Sequence, residues 1–89
     1  MIELGSFRNT QALEVTADSA VFTAPGPYSV FVVTADRSVL IQRNVVEIDE
    51  HAFLLREGQY ARITLGRNEV LAYALADGEI DGVFYITEA

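Results

Sequence analysis

The stretch Tyr28–Gln42, YSVFVVTADRSVLIQ, decides the fold class. Its two halves, Tyr28 to Thr34 and Ser38 to Gln42, are rich in β-branched and aromatic residues, and the polar break Ala35-Asp36-Arg37 separates them. That is the pattern of two strands and a turn. Val30, Phe31, Val32 and Val33 are apolar in succession, so this strand is expected to have both faces covered, as in the middle of a packed double layer.

Working outward toward the N-terminus, Ala24-Pro25-Gly26-Pro27 ends a short apolar piece, Ala20 to Thr23, because two prolines fix φ and remove donors. Before it, Leu13, Val15 and Ala17 alternate with Glu14, Thr16 and Asp18, the period of a strand with one wet face. On the other side, Asn44 to Asp49 alternates again through Val46 and Ile48. Asp49 and Gly58 would suit the cap and stop of a helix, but so short a helix is marginal in water. Ala52 to Leu55 is therefore read as a short strand, with Arg56-Glu57-Gly58 as the turn into Gln59 to Leu65. Gly66-Arg67-Asn68 then predicts a hairpin with Val70 to Leu75 as its return strand. Asp77-Gly78 and Asp81-Gly82 mark further turns, and Val83 to Thr87 reads as the last strand.

The expected fold is all-β, a single small β-sandwich or jelly-roll-like barrel of about 7 to 8 short antiparallel strands. Residues 1–10 are expected as an N-terminal arm or edge strand and residues 11–89 as the sandwich. At 89 residues such a domain buries roughly 60 to 65% of its unfolded surface, so association with other subunits would add needed apolar burial. Ile2, Leu4 and Phe7 are the candidate interface residues for that purpose.

Six basic against thirteen acidic residues give a net charge of −7, which repels nucleic-acid phosphates and anionic lipid surfaces. Neither is expected as a partner. All the positive charge is arginine, spread singly at positions 8, 37, 43, 56, 62 and 67. Apolar runs fall far short of the roughly 20 residues needed to span a bilayer, and Met1-Ile2-Glu3-Leu4 lacks the pattern of a secretory signal. Cysteine is absent, which suits a reducing compartment and equally a particle built to survive outside a cell.

Candidate chemistry is sparse. Asp77, Glu79, Asp81, Gly82 and Glu88 fall at loop positions of an EF-hand, but an exiting helix has no room after Glu88 and Val83 to Thr87 is strand-like. Glu47, Asp49, Glu50 and His51 form the densest acidic cluster, yet no second histidine or cysteine supports a metal or acid–base role. A solvated loop is the expectation there. Tyr28, Tyr60, Tyr73 and Tyr85 sit in strand patterns, where a tyrosine fills core and sends its hydroxyl to the rim. No enzyme activity, catalytic residue, cofactor or metal is therefore expected.

The succession LEVTADSAVFTAPGPYSVFVVTADRSVLIQ, FLLREGQYARITLG and VLAYALADGEIDGVFYITE resembles small β-sandwich structural proteins of tailed bacteriophages, of the capsid decoration, head-fibre-base or small tail type. The likeness runs from Leu13 to Glu88 and rests on turns and alternation, with Arg56 standing where a proline is common. It implies a virion protein, made in the host cytoplasm, that binds the major capsid protein or other virion proteins. A capsid decoration (cement) role is the first expectation, and a tail, baseplate or head-fibre component that binds a host-surface glycan is the alternative. The resemblance also favours a homo-oligomer, a trimer first.

Overall fold

A computed structural model describes residues 10–76 and 78–88. Ile2, Leu4 and Phe7 lie outside the described residues. Eight strands follow one another: β1 (Thr10–Val15), β2 (Ala20–Thr23), β3 (Tyr28–Ala35), β4 (Val39–Arg43), β5 (Phe53–Leu55), β6 (Ala61–Gly66), β7 (Val70–Leu75) and β8 (Gly82–Glu88). Among the described residues there is no helix, so none is long and apolar enough to cross a membrane.

The strands form two antiparallel sheets of four, β1-β8-β3-β6 (sheet A) and β2-β7-β4-β5 (sheet B). The first strand pairs with the last, the second with the seventh, the third with the sixth and the fourth with the fifth. The chain is thus a long doubled-back ribbon rolled upon itself, so that β3 also meets β8 and β4 also meets β7. This order is that of a jelly roll, which agrees with the all-β sandwich expected from the sequence.

The core lies between the sheets. Phe31, Val33 and Ala35 of β3 face it together with Phe84 and Ile86 of β8, and from sheet B come Val39, Leu55, Leu71, Tyr73 and Leu75. Aromatic contacts bind the layers: Tyr73 stacks on Phe84 with centroids 4.8 Å apart, and Phe22 meets Phe31 edge-on at 5.3 Å. Burial raises the Tyr73 phenol above its ordinary pKa.

Several expectations are corrected. Gly66-Arg67-Asn68 does not close a hairpin, because β6 belongs to sheet A and β7 to sheet B. The turn at Asp36 likewise carries the chain from β3 in one sheet to β4 in the other. Of the strands consecutive in sequence, only β4 and β5 pair. The β3 strand is covered on one face alone: Val30 and Val32 point outward and are part-exposed, shielded only by neighbours on β6 and β8. Asn44 to Asp49, despite its alternation, is a loop, with Val46 exposed and Asn44 in the left-handed region that asparagine tolerates.

That loop has a structural task. Gln42, outward on β4, exchanges two hydrogen bonds with Asp49: its Nε2 donates to Oδ1 at 2.9 Å and its Oε1 accepts from the Asp49 N–H at 3.0 Å. Ser19, just before β2, accepts from the Ile48 N–H at 2.9 Å. The two anchors flank β7, so the segment between them straps the outer face of that strand. Ala72 and Ala74 point outward there, yet are only 0% and 4% exposed.

Candidate functional site

The residues that sequence reasoning singled out for metal or acid–base chemistry do not converge. Gly82 and Glu88 occupy opposite ends of β8, about 20 Å apart along an extended strand. Asp77 lies outside the described residues. The Asp49 carboxylate also accepts the His51 N–H at 2.8 Å, and this bond, then that from Gln42, holds its pKa below the ordinary value. His51 faces Glu50 at 3.7 Å with both side chains largely in solvent. The described residues contain no group of three or more His, Asp or Glu side chains placed to hold a metal ion.

The tyrosines divide differently from expectation. Tyr73 is core, but Tyr28, Tyr60 and Tyr85 are 71%, 58% and 36% exposed. Register places all three on the outer face of sheet A, since β3 sends Phe31 and Val33 inward and therefore Tyr28, Val32 and Thr34 outward. Tyr85 pairs with Thr34, and Tyr60 precedes Ala61, which pairs with Val33. Tyr60 and Tyr85 thus flank Thr34 on a single row, about 10 Å apart by strand spacing. Thr34 is held by its own bond, its hydroxyl donating to the Gln59 carbonyl at 2.7 Å.

The second feature is a groove of about 400 Å³ at the open side of the sandwich, between the free strands β5 and β6. Ile41, Ile63 and Leu71 form its apolar floor, Phe53 stands on one wall, and Arg43 and Arg62 flank it. Phe53 is there because β5 is only three residues long: it pairs with Ile41 on the inner side, but no further strand covers it, and it is 56% exposed. Sequence reading placed Phe53 in a strand without seeing that the strand would be an edge.

One end of the groove is fastened by Glu69. Asn44 Nδ2 donates to Glu69 Oε2 at 2.6 Å, the Gly66 N–H donates to Oε1, and Arg43 lies 3.5 Å away. These partners, Asn44 first, hold the Glu69 carboxyl below the usual carboxylate range. A side chain at Gly66 would bring a Cβ within 2.9 Å of Glu69 Oε1, so glycine keeps this turn closed. Arg43 is therefore committed to the scaffold, whereas Arg62 forms no ion pair with any described residue.

No protein-family model matches the chain, and no curated protein or solved structure matches it.

Proposed function

We propose that this chain is a virion structural protein of a tailed bacteriophage, a capsid decoration protein that docks on the major capsid protein and clamps neighbouring subunits without catalysis. The observation that carries the reading is the amount of large apolar side chain that the sandwich leaves outward: Val21, Val46, Phe53, Leu54 and Ile80 are all exposed. A rigid double layer with apolar edges and loops suits docking on a protein lattice, where a stable contact buries roughly 800 Å² per partner. The resemblance of Leu13 to Glu88 supports the same class, and association as a trimer through Ile2, Leu4 and Phe7 belongs to this proposal. In a reconstructed particle, the protein is expected on the head surface, and deletion of residues 1–7 is expected to leave the sandwich folded while weakening attachment. Density at the tail tip would overturn the clamp.

A second reading has its own observation. Tyr60 and Tyr85, spaced across Thr34 on a flat face, offer rings for stacking on sugar units, with threonine hydroxyls beside them for hydrogen bonds. A tail component that binds a host-surface glycan would use this face, and Tyr60→Ala with Tyr85→Ala would then abolish cell adsorption without unfolding the domain.

A further inference from the structure

From the groove we infer that the free side of β6 is a strand-addition site for an extended segment of another protein in which apolar and acidic residues alternate. The inference stands on the groove and does not require the virion reading. The β6 strand ends sheet A and pairs only with β3; of the residues that alternate to its free side, Gly66 is already bonded to Glu69, and the N–H and C=O of Arg62 and Thr64 have no strand partner. An incoming strand would satisfy them. Its side chains would alternate across the new sheet edge, half entering the groove over Ile63 and against Phe53, half lying beside Arg62 on the outer face.

The two sides demand different chemistry. Phe53, Ile41 and Leu71 offer apolar surface and select an aliphatic or aromatic side chain. Arg62 is exposed, unpaired among described residues and set directly outward, so the residue that meets it across the new pair is acidic. A lone charge on an edge strand ordinarily wards off other strands. Here the wall beside it is uncovered aromatic surface, and the other groove arginine, Arg43, is already neutralised by Glu69. The chain's net charge of −7 disfavours a long acidic run, while isolated acids beyond about 8 Å from the remaining charges are screened at physiological ionic strength. The occupant is accordingly a strand with one or two acids among apolar residues.

Two short end-blocked peptides test this, one alternating valine with aspartate and one alternating valine with lysine, titrated into the full chain by heteronuclear NMR. The aspartate peptide is expected to shift the amides of β6 and Phe53 and to bind at least about tenfold more tightly than the lysine peptide. In Arg62→Glu that preference should invert, and in Phe53→Ser both peptides should weaken; both positions are exposed, and each variant is used only if its spectrum retains the core resonances. Equal affinity for the two peptides, an unaltered preference in Arg62→Glu, or shifts confined to other strands would overturn the inference. So would sedimentation showing that β6 is already covered by a second copy. A chain that binds the aspartate peptide but is absent from phage particles would lose the virion reading and keep this one.

Discussion

The outer faces of the two sheets are built from the same alternation and end in opposite conditions. On sheet A, β3 sends Val30, Val32 and Thr34 outward, and all three remain part-exposed. On sheet B, β7 sends Ala72 and Ala74 outward, and the loop anchored through Ile48 and Asp49 covers them. Large side chains stand where the sheet is bare, and small ones where a second layer must come close. On these two central strands side-chain volume, more than polarity, separates the covered outward positions from the bare ones.

The sharpest way to break that comparison is one substitution made on both faces. Ala72→Lys forces a charged chain beneath the strap and should cost about 3 kcal/mol or more, seen as a lower urea midpoint. Val32→Lys on the bare face should cost no more than about 1 kcal/mol. Equal losses would mean that sheet A is covered too. A smaller effect should follow from Ser19→Ala, which leaves the Ile48 N–H without its partner: about 1 kcal/mol, with faster amide exchange at Ile48 and no change at Val32.

The smallest effect is a dependence on acidity confined to the strapped face. Asp49 has its pKa lowered from 3.8, so its contribution is complete above that value and fades as pH falls through the lower folded value. Protection of the His51 amide should decline in that acid window before the core opens, and Asp49→Asn should remove the decline. Exchange at His51 that follows global unfolding at every pH would show that the carboxylate is not the fastener.

Much of the fold was legible locally. The strands near Tyr28, Ser38 and Val83 are marked by β-branched runs and turn residues, and the short strand expected at Ala52 to Leu55, found at Phe53–Leu55, wins over a helix because so short a helix is marginal in water. What local pattern did not carry was the sheet into which each turn delivers the chain. Gly66 and Asn68 announce a reversal, and a reversal within a sheet looks the same in sequence as an arch between sheets. The tyrosines differ from expectation because strand propensity says only that a tyrosine suits a sheet: alternation groups Tyr60 with Arg62 and Thr64 on a polar side, and it takes the pairing of β6 and β8 with β3 to bring Tyr60 and Tyr85 onto one face. The groove depends on β5 and β6 being edges, which no local pattern marks, and the alternation of Val46 with Ile48 imitates a strand although only Ile48 is part-buried and Val46 stands in solvent.

The rolled ribbon has a mechanical consequence. Thr10 and Thr87 face each other at one end of the β1–β8 pair, their hydroxyls 2.8 Å apart, so these two strand ends lie side by side. A pull applied through those ends meets ladder bonds that lie across the strands, and loads them one after another from the rim inward. The domain should peel like a zipper at low force, whereas a load spread over its faces must slide both sheets at once and would be resisted by every layer of the core together.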